Sequence, residues 1–323
     1  MEKYPDALLY LIAGQRGIGK STSVKCFILE ECVKHECEFL YVRRYEPEIK
    51  TALPDFFTTA SKITGIKVKR EKKIFKTDER IIGRAIALSK SDDLKSAENL
   101  QNVRYLFFDE FIIDKGLKQY IPGEVELFLR LLDSISRGYN DIYREVKVIM
   151  IGNTSKRFNP YYNYFGLTPP RKNNYKYLKD KGILLSNPYL EKFAELKSES
   201  KFGRLVNGTS YADYSISGDY MDENENNIMK KTASSRILFS IYLSPNKYVR
   251  FWQDFGNILI ASFDGGNTNF SFCTEISDVS EKLKYIKTEK FFKDLFKKTY
   301  EGGTMFFESV KVRGFCDEIY RRL

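Results

Sequence analysis

Apolar residues fall along this chain in two rhythms, and the alternation between them sets the first expectation. Ala7 to Ala13, the centre of Glu38 to Arg44, Val103 to Phe108, Val146 to Ile151 and Ile183 to Leu185 are short, almost unbroken apolar runs. Runs of that length read as strands buried on both faces. Between them lie stretches with apolar residues at helical spacing. Val24, Phe27, Ile28 and Val33 follow the first run, and Val125, Leu127, Phe128, Leu131, Leu132 and Ile135 mark a helix from Pro122 to Arg137. Strands alternating with helices predict an α/β fold. From Ile66 to Leu88 apolar residues alternate with basic ones, which predicts a small β-excursion turning at Thr77-Asp78-Glu79.

After Asn159 the texture changes. Residues 159–174 read as loop, and Tyr189 to Ser235 is polar, with one helix-prone patch from Leu190 to Leu196 and an acidic run at 222–227. That composition predicts a linker or a small helical hinge. Three strand-like runs follow, Ile237 to Leu243, Tyr248 to Trp252 and Ile258 to Phe263, with Asn246 and Gly256 in the turns. Helices are expected at Glu289 to Lys298 and Phe315 to Arg322. The expected organisation is an α/β domain at 1–188, a linker at 189–234 and a small α+β domain at 235–323.

Chemistry gathers at the ends of the predicted strands. Gly14-Gln15-Arg16-Gly17-Ile18-Gly19-Lys20-Ser21 fits G-x-x-x-x-G-K-[ST], with a strand before it and a helix after it. In that setting the glycines let backbone N–H groups wrap a polyphosphate at a helix N-terminus. These residues and the following Thr22 are the expected nucleotide-binding set, with Lys20 on the β- and γ-phosphates and Ser21 on Mg²⁺. Some ninety residues on, four apolar residues deliver Asp109 and Glu110 to a strand end. Asp109 is the second candidate Mg²⁺ ligand, and Glu110 the candidate group that polarises an attacking water. A second acid beside the first points to repeated ATP hydrolysis, away from a kinase or a GTPase switch. Asn153 and Thr154 end another strand and fit either a sensor of the γ-phosphate or packing and capping. Arg137 fits either a helix-end cation or a finger acting on a neighbour's phosphate. Arg43 and Arg44 fit a phosphate, a neighbouring subunit, DNA, or salt bridges to Glu46 or Glu48.

Composition narrows the class. The 323 residues are 42% hydrophobic and carry a formal charge of +10, so the chain folds and favours a polyanionic partner. Between Ile66 and Lys90 the bases Lys67, Lys69, Arg70, Lys72, Lys73, Lys76, Arg80, Arg84 and Lys90 face only Glu71, Asp78 and Glu79. Lys67, Lys69, Arg70, Lys72, Lys73 and Lys76 fit a sequence-indifferent DNA contact or a solvated face. Five cysteines without a regular framework suit a reducing compartment. The spacing of Cys32, His35 and Cys37 matches no zinc pattern, and a single histidine excludes multi-histidine metal sites. No apolar run is long enough to span a membrane, and the first six residues lack the order of a signal peptide.

The loop at 14–21, Tyr-Val-Arg-Arg-Tyr (41–45), Phe-Asp-Glu-Phe (108–111), Tyr-Ile-Pro-Gly-Glu-Val (120–125) and Phe-Gly-Arg-Leu-Val-Asn-Gly-Thr (202–209) resemble, in order, the DNA-packaging (encapsidation) ATPases of small podophages of the phi-29 type. The resemblance implies a P-loop ATPase of the additional-strand, catalytic-glutamate (FtsK/HerA-like) type. It implies a homomeric ring, a pentamer, at the portal of a prohead in the host cytoplasm, driving double-stranded DNA inward with ATP and Mg²⁺. In part of the family a structural packaging RNA joins the motor to the portal. The resemblance assigns Arg137 the trans-acting role and makes the C-terminal domain RNase H-like. Ile237 to Leu243 carries no carboxylate, and Asp254 and Asp264 fall at turns, so that domain is expected not to cut. Other ring-forming translocases or helicases, and a terminase-like protein with an active nuclease, are the rival readings.

Overall fold

The computed structural model describes residues 3–323 except 79, 92–99, 114–119, 138–143, 155–158, 219–226, 245–246 and 255–257. Its chain forms two compact units, residues 1–156 with 166–221, and residues 157–165 with 222–323.

The first unit is built on a nine-stranded sheet. Its strands are β1 (Leu9–Gly14), β2 (Glu38–Arg43), β3 (Lys69–Glu71), β4 (Ile74–Thr77), β5 (Arg80–Ala87), β6 (Val103–Asp109), β7 (Lys147–Asn153), β8 (Asn174–Leu178) and β9 (Ile183–Asn187), in spatial order β3-β4-β5-β2-β6-β7-β1-β9-β8. The pairs from β5 across to β9 are all parallel. β7 therefore separates β1 from β6, with Gly14 opposite Asn153 and Asp109 opposite Ile151. Helices α1 (Lys20–Lys34), α2 (Glu46–Ala52), α3 (Thr58–Thr64) and α4 (Glu124–Ser136) connect the strands. Because all central strands run the same way, their C-terminal ends share one edge, where the loops collect the candidate residues.

The basic excursion is an antiparallel extension of this sheet, in which β4 pairs with β5 and β3 with β4. Phe75 anchors it, packing in the core against Phe39, Phe56 and Phe57. Phe39 presses so closely on β5 that a Cβ at position 83 would meet its ring at 2.2 Å, which is why Gly83 stands there. On α4, Val125, Phe128, Leu131 and Ile135 are buried, the face its spacing announces.

The polar segment after Tyr189, expected as a linker or small helical hinge with a helix-prone patch at Leu190 to Leu196, is helical and clusters with the first unit: α6 (Glu191–Glu199), α7 (Lys201–Val206) and α8 (Ser210–Ser215). Ser200 and Thr209 cap α7 and α8 by accepting backbone N–H groups of Gly203 and Ala212. These helices are too short to show a clear apolar period, so their caps were the available signal. β8 lies in the stretch between the expected loop and the expected last strand; its residues are exposed or half-buried, and it pairs along the outer side of β9.

The second unit holds α5 (Pro160–Phe165) and a six-stranded sheet of β10 (Arg236–Ser244), β11 (Lys247–Asp254), β12 (Ile258–Ser262), β13 (Ser271–Cys273), β14 (Lys284–Tyr285) and β15 (Met305–Phe307), ordered β14-β13-β10-β11-β12-β15. The three expected strands form the antiparallel centre, and three shorter parallel strands extend it on both sides. Helices α9 (Lys290–Glu301) and α10 (Val310–Arg322) pack on it. α10 starts five residues before the expected Phe315 because the Ser309 hydroxyl accepts from Val312 N–H and caps it.

Candidate functional site

β1 ends at Gly14 and the chain turns through Gly17 and Gly19, both with left-handed backbone (φ 92° and 87°), before α1 starts at Lys20. Glycine adopts that conformation readily, and turns of this kind can present successive backbone N–H groups to an anion. The Lys20 ammonium lies across the loop, donating to Gly14 O at 2.9 Å, Gln15 O at 2.6 Å and Asn153 Oδ1 at 3.2 Å. Asn153 thus meets the phosphate-loop lysine, and Thr154 beside it is fully buried. Ser21 and Thr22 form the first turn of α1.

Gln15, part of the expected nucleotide-binding set, turns its side chain into the protein. It is fully buried: Nε2 donates to Ile216 O at 2.7 Å, and Oε1 accepts from Leu190 N at 3.2 Å. Its carboxamide ties the loop to both ends of the α6–α8 segment. Arg16 is exposed, and its charge helps to depress the Lys197 ammonium below the ordinary lysine value, after the larger effect of burial.

Two strands away, Asp109 closes β6 and Glu110 follows in left-handed backbone (φ 62°). Arg43 at the end of β2 faces both acids, with Nη2 3.5 Å from Asp109 Oδ2 and Nη1 2.8 Å from Glu110 Oε2. The second contact is an ion pair without hydrogen-bond alignment. Tyr41 completes the cluster, accepting from Arg43 Nε at 2.8 Å and donating to Asp109 Oδ2 at 3.2 Å. Burial pushes the Asp109 carboxyl above the usual range, and the Arg43 guanidinium opposes that shift. Lys25 on α1 stands 4.1 Å from the Phe56 ring; burial lowers its pKa, and the Asp109 charge partly restores it.

Arg44 does a different job from its neighbour. Its guanidinium and the Glu124 carboxylate are 2% and 1% exposed and meet through two hydrogen bonds of 2.6 and 2.8 Å. Its remaining N–H groups donate to the carbonyls of Glu110 and Phe111, both at 3.1 Å. The plane lies 4.8 Å from the Tyr120 ring centroid, and Glu124 also accepts from Ile121 N at 2.9 Å. Two of the recognised sequence stretches, 41–45 and 120–125, therefore meet at the turn that carries Glu110. The salt-bridge partner is Glu124 rather than Glu46 or Glu48, although Glu48 accepts from the Arg44 backbone N–H at 3.1 Å.

Arg137 stands apart. Thirteen-residue α4 is about 20 Å long and starts at Glu124 near the acids. At its far end Ser136 O accepts from Arg144 N, and Arg144 reaches the Gln101 carbonyl ahead of β6. Arg137, 67% exposed and paired with Asp133, thus sits by the opposite edge of the sheet, out of reach of its own phosphate loop. In the basic excursion Lys67, Lys69, Arg70 and Lys72 are exposed. Lys73 pairs with Glu46 at 2.6 Å and Lys76 with Glu71 at 2.8 Å, so these two face acids rather than open solvent alone.

A parallel α/β sheet with a phosphate loop on one central strand and an acid pair two strands away defines a P-loop nucleotide-binding fold. The family model of the podovirus DNA encapsidation protein (Gp16) matches residues 3–323, and the chain belongs to that family. The DNA packaging protein of Bacillus phage B103 is 32% identical over 258 residues, 79% of this chain and 77% of that protein. The DNA packaging protein of Bacillus phage phi29 is 28% identical over 322 residues, 98% of this chain and 95% of that protein. Among solved structures, a chain of the bacteriophage phi-29 viral genome packaging motor assembly aligns with a TM-score of 0.68 at 26% identity, covering 98% of this chain and 96% of that one.

Removing one partner of a buried ion pair costs about 3–5 kcal/mol, because the other charge is left unpaired. Arg44→Ala should lower the unfolding free energy of the first unit by that amount in a denaturant titration. Arg44→Met with Glu124→Leu should recover only part of it, since the Glu110 and Phe111 carbonyls stay unpaired.

Proposed function

We propose that this chain is the ATP-driven motor subunit that moves double-stranded viral DNA into a preformed prohead, acting as a homomeric ring, a pentamer, at the portal. The observation that carries the reading is the shared strand edge on which the Lys20 loop, Asn153 and the Asp109–Glu110 pair converge. β7 between the two site strands supports the additional-strand, catalytic-glutamate type. Phosphoryl transfer relies on positioning and charge rather than covalent chemistry, which suits this set. The loop backbone and Lys20 hold the triphosphate. The Ser21 hydroxyl and Asp109 carboxylate are oxygen donors of the kind Mg²⁺ takes, and that ion, when bound, neutralises phosphate charge. Tyr41 and Arg43 fix the Asp109 carboxylate. Glu110 orients the attacking water, and for that it must leave the Arg43 guanidinium, whose charge makes it a poor base.

The position of Arg137 supports a role in trans: it is too far to serve its own site and exposed where a neighbouring subunit can meet it. Lys67, Lys69, Arg70 and Lys72 supply a phosphate-backbone contact to DNA, with Lys73 and Lys76 weaker contributors because of their acid partners. In the second unit, the antiparallel meander continued by parallel β13 and β14 supports an RNase H-like domain. Asp254 accepts from Thr232 and Ser235, and Asp264 pairs with Lys231, so each acid is engaged separately; this supports a gripping or docking role over cutting. No helix among the described residues is long and apolar enough to cross a membrane.

Glu110→Gln should abolish phosphate release while preserving ATP binding; DNA-stimulated hydrolysis by that variant would overturn the assignment. Titrating Arg137→Ala subunits into wild-type rings should reduce hydrolysis more steeply than the mutant fraction, whereas a proportional decline would exclude the trans role. Lys67→Ala with Lys72→Ala should weaken DNA binding equally for unrelated sequences and flatten the plot of log affinity against log salt by about two units.

A further inference from the structure

On the β9 side of the phosphate loop lies a pocket of about 570 Å³, walled by Tyr189, Leu190, Phe193 and Leu196, with Asn173 and Lys192 among its lining residues. Sheet order and three contacts connect it to the loop. Sheet order places β6, with its acids, on one side of β1 and β9 on the other. A nucleotide whose terminal phosphate points toward Asp109 and Glu110 therefore projects its base toward the end of β9. The pocket is also fastened to the loop: the Phe193 ring lies 3.1 Å from where a Cβ on Gly17 would sit, Leu190 N donates to the Gln15 carboxamide, and Gln15 N donates to Pro188 O at 3.2 Å.

The chemistry of the walls fits a flat heterocycle. Leu190 and Leu196 are 52% and 61% exposed, an apolar surface beside two aromatic rings. The Lys172 ammonium stands 5.2 Å from the Tyr189 ring centroid, and Glu191 and Lys192 add charged groups to the lining. Asn173, held in left-handed backbone (φ 55°) by its N–H to Asn187 O, brings a carboxamide with one acceptor and two donors to the lining, the group that pairs edge-on with a purine. The volume lies within the range of small-molecule sites, which are mostly apolar with a few polar groups.

We propose that this pocket takes the nucleobase of the nucleoside triphosphate whose phosphates occupy the 14–21 loop, with the ring against Tyr189 and Phe193. The proposal rests on the reading of that loop as a nucleotide site. It also gives the α6–α8 segment a direct contact with the nucleotide, so that binding is sensed outside the parallel sheet.

The test measures equilibrium binding of ATP and of inorganic tripolyphosphate, each with Mg²⁺, to the full chain and to Tyr189→Ala, Leu196→Ser and Lys20→Ala, with thermal unfolding as a check on folding. Wild type should bind ATP more tightly than tripolyphosphate. Tyr189→Ala should weaken ATP about tenfold, the loss expected from one base–aromatic contact, Leu196→Ser should weaken it by a smaller factor, and both should leave tripolyphosphate unchanged. Equal wild-type affinities for the two ligands, unchanged ATP binding in both pocket variants, or parallel loss of both ligands would overturn the pocket assignment. Failure of wild type to bind either ligand, or tripolyphosphate binding indifferent to Lys20→Ala, would instead remove the phosphate-loop reading and this inference with it.

Discussion

A guanidinium and a carboxylate withdrawn from water hold three separate pieces of this chain in register. Arg44 follows β2, Glu124 begins α4, and the carbonyls that Arg44 satisfies belong to the turn after β6. Burying two charges is unfavourable unless geometry and further hydrogen bonds offset the lost hydration. Here both oxygens of Glu124 and the outward N–H groups of Arg44 are engaged. The pair is thus better understood as a positional device than as a source of stability. It fixes a left-handed residue, Glu110, at the mouth of the site, and leaves the adjacent arginine, Arg43, to face the acids themselves. One dipeptide thereby separates two tasks, with the first arginine handling the carboxylates and the second the backbone beneath them.

Much of this was legible in the sequence where the chemistry is local. The phosphate loop depends on glycines at fixed spacing between a strand and a helix, and β1, β6 and β7 are apolar runs that can only be buried. The amphipathic face of α4 and the position of the basic excursion follow from the same kind of pattern. What sequence could not give were partners. Nothing near Arg44 names Glu124 eighty residues away, and Glu46 and Glu48 looked better because they were closer. Gln15 reads as a loop residue facing the ligand because its neighbours do, and only the fold turns its amide into the protein. The segment after Tyr189 was legible only in part. Its helix-prone patch at Leu190 to Leu196 is α6, while α7 and α8 are too short to show an apolar period and are marked in the sequence only by their caps, Ser200 and Thr209.

The division of labour between the units follows the same logic. In the first, parallel strands force all loops after them to one edge, so a compact set of polar groups can be assembled from distant stretches. In the second, the centre is antiparallel and its core is dense in phenylalanine, with Phe239 and Phe251 stacked at 4.5 Å. Asp254 and Asp264 lie at strand ends, the first held by the Thr232 and Ser235 hydroxyls and the second by Lys231.

Gln15 carries one more consequence, which concerns the time at which the loop is finished. Its two side-chain partners lie 175 and 201 residues further along the chain. On a ribosome adding 5–20 residues each second, the stretch from Gln15 to Ile216 takes roughly 10–40 s to appear. β1 must likewise wait for β7 and β9 before it has neighbours on either side. The most recognisable motif of the chain, complete as a sequence within its first two dozen residues, is therefore among the last parts of the first unit to acquire its shape. A nascent or truncated chain that carries the motif still lacks the anchors that close the loop.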